Sequence, residues 1–424
     1  MSGSYVSAPL RRVARSIRDG THGTFERVAD GRPLLSAKNI RDGSVVVGDD
    51  ESRISDSDYG EICRTRRFEA GDVLLTIVGA IGRVAILGDD DPRAFQRSVA
   101  AITPSTSASS RYLAYVFQGS AFQEQLAGVT RQSAQGGVYL GDLANMQIPV
   151  HPTAVQDGVV TFLDAETARI DALVAKKQQM IELMTERRRE FVARAVTVGL
   201  DEHEPTTMTG NPFAPMIPRS WSLQRLRHVA LRIIDTAHKT APVVPDGEYL
   251  VVRTSNVKNG QLVLDGARYT DEATWRDWTL QARPRPDDVM FTREAPAGEA
   301  CLVPKGIPLC IGQRMVLIQV DQSLASGEWL VHSIYAGPAQ QFVGLLSRST
   351  TVAHLNMSDI PDMPVVVPPL DVQGRILDEI RAAISHQEGS TSLLMKQIHL
   401  LREYRRALIT AAVTGEIDIP VVGA

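Results

Sequence analysis

The second half of this chain is a diverged copy of the first. Asp19-Gly20-Thr21-His22 returns as Asp235-Thr236-Ala237-His238. Ser36-Ala37-Lys38-Asn39-Ile40-Arg41-Asp42-Gly43 returns as Arg253-Thr254-Ser255-Asn256-Val257-Lys258-Asn259-Gly260. Gln96-Arg97 meets Gln313-Arg314, and Val155-Gln156 meets Val372-Gln373, at an offset of 216 or 217 each time. Over Ile181–Asp201 against Ile398–Asp418, nine of 21 positions are identical. Solenoids repeat every 20–50 residues, so a period this long marks a duplicated pair of domains. Two similar modules on one chain imply a protein that grips something in two places.

A length of 424 residues suggests about three domains as a soft prior. The duplication resolves it into two halves, each large enough to bury its own core. Hydrophobic content of 43% and charged content of 22% are ordinary for soluble globular protein. Cys63, Cys301 and Cys310 form no disulfide framework and no metal-ligand spacing, so a reducing compartment is expected. No apolar run approaches ~18 residues and no signal-peptide pattern opens the chain, so a cytoplasmic protein with no membrane partner is expected. The net charge of −4 argues mildly against a simple nucleic-acid binder. Arg64, Arg66, Arg67, Arg83, Arg93 and Arg97 nevertheless fall in one stretch, which leaves room for a local basic cleft.

Each half reads as a mixed, strand-rich domain followed by a long helix. Ser44–Val47, Asp72–Val78 and Val84–Leu87 are β-branched or apolar runs bounded by Asp-Gly, Ala-Gly and Gly-Asp turns. Leu262–Leu264, Asp288–Thr292 and Met315–Val320 match them in the second half. Ser110–Leu126 and Leu330–Leu346 read as amphipathic helices. Beyond Pro152, Leu163, Ile170, Lys177, Met184, Phe191 and Val198 recur every seven residues, with Leu173 and Met180 at the companion position. That spacing predicts a helix packed along another helix, roughly 60 Å long at ~1.5 Å per residue. The second copy starts after Pro368-Pro369 and carries Ile376, Ile380, Ile384, Leu394, Ile398, Leu401 and Leu408, with an expected bend or break at Glu388-Gly389-Ser390. Ordinary bundle core would give similar stripes. The duplication favours mutual pairing, in antiparallel sense, of Leu163, Ile170, Met184 and Phe191 with Ile380, Leu394, Ile398 and Leu401.

Familiar catalytic chemistry is missing. Gly79-Ala80-Ile81-Gly82 is too sparse for a phosphate-cradling loop and fits a hairpin. Asn211-Pro212-Phe213 is similar to the Asn-Pro-Pro-aromatic tetrad of amino-methyltransferases but lacks its second proline, and it sits in a linker. The histidines are scattered, with only His22 and His238 at equivalent positions. A chain without its own catalytic centre is expected.

The segments Asp19-Gly20-Thr21-His22-Gly23-Thr24-Phe25, Asn39-Ile40-Arg41-Asp42-Gly43, Gly71-Asp72-Val73-Leu74-Leu75, Gln96-Arg97 and Ile148-Pro149-Val150 through Gln156 follow one another and nearly all recur. In that order, the chain resembles the specificity subunit of type I restriction–modification systems over nearly its whole length. The resemblance implies an α+β fold of two duplicated mixed α/β target-recognition domains. Each is followed by a long helix, and the two helices pair as an antiparallel coiled coil. It places the first recognition domain at 1–149, the first helix at 150–199, a linker at 200–218, the second recognition domain at 219–367, the second helix at 368–418 and a tail at 419–424. It implies that each domain reads half of a split sequence in double-stranded DNA, with the helices as a ruler. Two modification subunits would bring S-adenosylmethionine, and motor–nuclease subunits, where present, ATP and Mg; this chain itself would bind no cofactor and no metal. The second copy departs from the pattern at Asp235-Thr236-Ala237-His238-Lys239-Thr240, which lacks the glycines of the first.

Reading all four base pairs requires hydrogen bonding in the major groove, so exposed Arg, Lys and Gln near turns are the candidates. Lys38, Arg41 and Lys258 flank a turn in which Asn39 and Asp42 read as turn chemistry. Gln96-Arg97 and Gln313-Arg314 suit a base edge plus a phosphate. Their recurrence favours phosphate or scaffold roles, because domains reading different sequences should differ at base contacts. Arg131, Gln132 and Arg348 fit phosphate contacts or a solvated loop, and Arg66, Arg83, Arg293 and Lys305 complete the set. Arg187-Arg188-Arg189 reads as a solvated helix face or a docking surface. Three other readings stay open: the recognition subunit of a type II-like enzyme, a coiled-coil scaffold that binds protein, and a methyltransferase or nuclease with an unfamiliar site.

Overall fold

The structure, a computed structural model, describes residues 6–41, 43–130, 136–236, 239–347 and 354–419. It divides into two units, Met1–Gln178 with Leu394–Ala424, and Gln179–Leu393. The fold is α+β, and each unit holds one copy of the repeated domain together with parts of both long helices.

In the first unit a four-stranded antiparallel sheet runs in the order Ala14–Asp19, Val99–Pro104, Val73–Thr76, Val84–Ile86. Its central strands are buried at nearly every position because both faces are covered, the condition under which strands lose their polar alternation. Val73, Leu75, Ala100 and Ile102 point into the core under the helices, while Leu74, Val99 and Ala101 point into a second cluster with Leu35, Phe68 and Phe95. The run read as one helix over Ser110–Leu126 is two, Ser110–Gln118 and Ser120–Val129, parted at Gly119. Serine 109 caps the first by accepting from the Tyr112 N–H. A short pair, Val6–Pro9 with Gln147–Val150, closes the domain and leads into the long helix.

The second unit repeats this plan. Its sheet is ordered Ala230–Asp235, Met315–Val320, Val289–Thr292, Ala300–Leu302, all antiparallel. Val289 and Phe291 face one core and Met290 the other. The stretch Leu330–Leu346 likewise falls within two helices, Gly327–Tyr335 and Gly337–Ser347. A three-stranded sheet of Arg268–Thr270, Tyr249–Val252 and Leu309–Ile311 is added here, its last two strands parallel. The linker reading of 200–218 needs correction: Thr206–Asn211 and Ala214–Pro218 form a hairpin whose Ala214 and Ile217 are buried in the second unit's core. Asn211-Pro212-Phe213 is its tip, with Asn211 Oδ1 accepting from the Phe213 N–H at 2.9 Å.

The long helices are Thr153–Val198 and Leu370–Val413. The expected break at Glu388-Gly389-Ser390 does not occur; the helix is continuous through it. A single glycine costs a helix about 1 kcal/mol, which the burial of Ile376, Leu377, Ile380 and Ile398 on the same helix offsets. In the first unit Asp171 accepts from Arg405 at 3.0 Å and Lys177 donates to Gln397 at 2.6 Å. In the second, Gln387 donates to Thr185 at 3.2 Å. Rising numbers on one helix meet falling numbers on the other, so within each unit the helices run antiparallel.

The seven-residue series is correct but its companion position is not. Leu163 and Ile170 are buried, while Leu173 and Met180 are 42% and 50% exposed. The covered companions are Thr167, Val174 and Ile181, four residues after each member of the series. Heptads alternate steps of three and four, and here the step of four follows the series. Leu163 packs with Ile409, Ala412 and Val413 in the first unit, and Ile380 with Val192, with Phe191 against them, in the second. Met184, Leu394 and Leu401 are half-buried and Ile398 is buried.

Candidate nucleic-acid interface

The recurring residues explain themselves first. Gln156 is fully buried, donates to the carbonyls of Ser107 (2.7 Å) and His151 (2.9 Å), and accepts from the Ser109 N–H at 3.2 Å. Gln373 does the same with Leu324 (2.8 Å), Pro368 (2.9 Å) and Ser326 (3.1 Å). One amide thus joins the start of each long helix to the loop that caps the neighbouring domain helix. Asn39 and Asn256 are a second such pair. Asn39 donates to Val46 O and Asn256 to Val263 O, both at 2.9 Å, and each accepts from the N–H three residues earlier. Both asparagines are buried turn formers, out of reach of any ligand.

Around the first turn, Lys38 pairs with Glu51 at 2.9 Å, and Arg41 donates to the Lys38 carbonyl at 2.7 Å. Burial works to raise the Glu51 carboxyl, but hydrogen bonds from Asn39 and Lys38 override it and hold it below its ordinary value. Lys258, the counterpart of Arg41, is exposed on the strand Val257–Lys258.

A second cluster gathers the Asp-Gly-Thr-His segment and Gln96-Arg97. Thr21 bridges to Gln96, and the Arg97 N–H donates to the Thr21 carbonyl at 3.0 Å. Asp19 holds His22 at 2.6 Å and Arg66 at 3.2 Å. Gly20 is required because a Cβ there would lie 2.2 Å from the Phe95 carbonyl oxygen. The second copy builds the same corner with other side chains. Thr236 donates to the carbonyls of Gly312 (2.8 Å) and Met315 (2.9 Å), and Gln313 accepts from Thr240 at 3.3 Å. Arg293 is buried against Asp235 at 3.4 Å, which makes it scaffold, and Arg314 sits 3.7 Å from Glu294.

Among the described residues, Arg83 and Arg97 make no ion pair and are exposed, as are Lys258 and Lys305. Arg131, Gln132 and Arg348 lie outside the described residues, as does His238. Arg83 does not share the Arg97 corner. It lines a groove of ≈ 1260 Å³ with Gly43, Arg111, Arg402, Arg405 and Arg406. Sequence reasoning missed this groove, whose only signal was the run Arg402-Glu403-Tyr404-Arg405-Arg406. Cys301 and Cys310 are buried, and burial pushes both thiols up to about 12, far from the range of a nucleophile. Among the described residues no helix is long and apolar enough to cross a membrane.

A duplicated α+β domain with its own strap of paired helix in each copy defines a two-module recognition protein. Residues 36–183 match the family described as the type I restriction modification DNA specificity domain. The chain is 20% identical over 390 residues to the type I restriction enzyme MjaIX specificity subunit of Methanocaldococcus jannaschii, covering 91% of this chain and 87% of that one. It is 18% identical over 437 residues to the StySPI specificity subunit of Salmonella potsdam, covering 97% and 89%. Among solved structures, a chain from work on complex assembly and conformational transition of the type I R-M system superposes with a TM-score of 0.68 at 15% identity, covering 97% of this chain and 98% of that one. The HsdS subunit from Thermoanaerobacter tengcongensis gives 0.50 at 16%, covering 97% of each chain. Residues 36–183 thus carry the family's DNA specificity domain, and the chain is similar over nearly its whole length to type I restriction–modification specificity subunits.

Proposed function

We propose that this chain is the DNA-reading, non-catalytic subunit of a type I restriction–modification complex. Each recognition domain reads one half of a two-part target, and the long helices dock modification subunits. What carries this reading is the repetition of one scaffold around differing side chains. Gln156 and Gln373, and Asn39 and Asn256, make matching bonds to the backbone, whereas the exposed residues beside them differ, as at Arg41 and Lys258. A pair of readers for unlike half-sites needs that division of labour. S-adenosylmethionine then belongs to the modification subunit, and ATP and Mg to a motor–nuclease subunit. Arg97, Arg314, Arg41, Lys258, Arg83 and Lys305 are the exposed candidates for phosphate or base contact.

The test is modified-base sequencing of DNA from a host expressing this chain with its modification subunit. A two-part methylated sequence is expected, and exchange of residues 1–149 for those of a relative should change one half only. Methylation indifferent to this chain would overturn the reading. Methyl transfer by the purified chain alone would overturn its non-catalytic part.

A further inference from the structure

The same docking contact is made in both units with its charges exchanged. In the first, Arg111 on the helix Ser110–Gln118 meets Asp164 of the first long helix, Nη2 to Oδ1 at 2.9 Å. In the second, Glu328 on the helix Gly327–Tyr335 meets Arg381 of the second long helix, Oε1 to Nε at 3.0 Å. Residues 111 and 328 are equivalent in the repeat, and so are 164 and 381. Each pair is supported by its surroundings. The Tyr115 hydroxyl donates to Asp164 at 2.8 Å, and Asp378 accepts from Arg381 at 2.7 Å. Both carboxylates are the less exposed partners, at 29% and 30%.

Two ion pairs of the same polarity would hold the two domains equally well. Reversal adds only discrimination, because a wrong partner then meets a like charge. We infer that these four positioning residues key each recognition domain to its own long helix and exclude the other copy's helix, whether in the same chain or in a second one. The first domain set on the second helix would bring Arg111 against Arg381. The second domain on the first helix would bring Glu328 against Asp164. The inference rests on packing within each unit and is independent of what the domains read.

Amide hydrogen exchange on the full chain tests it. Arg111→Glu alone, or Asp164→Arg alone, should lower protection of Ser110–Gln118 about three- to fivefold, the scale of a partly exposed ion pair. The double variant should restore it to within about twofold of the native chain. Asp164→Arg with Arg381→Asp should loosen both helices, and adding Arg111→Glu with Glu328→Arg should restore both. Failure of either combination to restore protection would overturn the pairing. The keying itself is read from a chain carrying residues 1–149 in place of 219–367. There Arg111→Glu should raise protection, the opposite of its effect at the native position. The same sign in both places, in a chain that folds, would sink the inference.

Discussion

Asp72 and Asp288 stand at the same turn before the same strand, and both are buried, yet their company differs. Asp72 accepts from the Glu69 N–H at 2.7 Å, and its two oxygens also take the Arg18 guanidinium and the Thr103 hydroxyl. Asp288 accepts from the Arg285 N–H at 2.9 Å, but Gln319 stands where Thr103 does and Ile234 where Arg18 does. Among the described residues no guanidinium hydrogen-bonds to it, and burial raises the Asp288 carboxyl above its ordinary value, against the pull of the Arg285 and Gln319 hydrogen bonds and the Arg285 charge. The turn is what the two copies share, and the compensation of the charge is local to each. Recurrence therefore identifies a backbone role even where the electrostatics have diverged.

The largest expected effect breaks this comparison at Asp72. Asp72→Asn keeps an acceptor for the Glu69 N–H but leaves Arg18, only 18% exposed, without its counter-charge. Removing one member of such a pair should cost about 3 kcal/mol. Asp288→Asn should change stability by less than about 1 kcal/mol, since it removes an ionised group that the fold disfavours. The sign follows from linkage: a carboxyl raised in the fold contributes stability below its unfolded value and loses it as pH rises through the folded value. Any gain from Asp288→Asn should therefore appear at neutral pH and vanish in acid. Urea unfolding of the full chain decides this, and equal losses from the two substitutions would show that the surroundings do not matter.

The joints between paired domain helices come next. Gly337 has φ +69°, and a Cβ there would lie 2.5 Å from Thr197 Oγ1. Gly119, at the equivalent joint, has φ −67°, with its nearest obstacle the Val116 carbonyl oxygen at 3.3 Å. Gly337→Ala should cost about 2 kcal/mol and Gly119→Ala less than about 1. Thermal denaturation of the two variants checks the difference, and a Gly337→Ala protein as stable as Gly119→Ala would remove the argument.

How far the fold could be read from residues alone follows from the same contrasts. The duplication and the central strands were legible because both sheet faces are apolar, which leaves Asp72–Val78 and Asp288–Thr292 as unbroken runs. The recurring Gln156 and Gln373 were visible as a pair, but their role needed the loop carbonyls that only the fold brings to them. The companion position on the first long helix was not legible. Leu173 and Val174, like Met180 and Ile181, are adjacent apolar residues, and only packing chooses the second of each. The groove beside Arg83 stayed hidden because Arg402 and Arg406 reach it from the far end of the chain.

The seam between the helices offers a smaller test. Ile170 and Gln387 are equivalent and both buried, at 4% and 8% exposure. Gln387 donates to Thr185, but among the described residues nothing donates to its Oε1. Gln387→Ile should stabilise the chain by about 1 kcal/mol, because an unpaired buried acceptor is lost and Thr185 keeps its bond to the Ile181 carbonyl. Chemical denaturation measures it, and a loss of stability would mean that the amide sets a register worth more than its unpaired oxygen costs.

The smallest effect is a difference in acid sensitivity where each domain meets its long helix. Tyr115 and His332 are equivalent, and each faces its long helix from the domain helix. Burial lowers the His332 imidazole below its ordinary value; the neighbouring Glu328 opposes this, and Arg381 and Arg188 reinforce it. A histidine depressed in the fold takes its proton first in the unfolded chain. Its contribution is therefore complete above the unfolded value, near pH 6.5, and erodes as pH falls through and below it. The second unit should lose stability as pH falls below about 6.5, seen as faster amide exchange in Gly327–Tyr335 relative to Ser110–Gln118 once intrinsic rates are divided out. His332→Gln should abolish that difference. Equal acid loss in the two helices, or a loss that survives His332→Gln, would place the sensitivity elsewhere and leave the two domain–helix contacts alike in their response to pH.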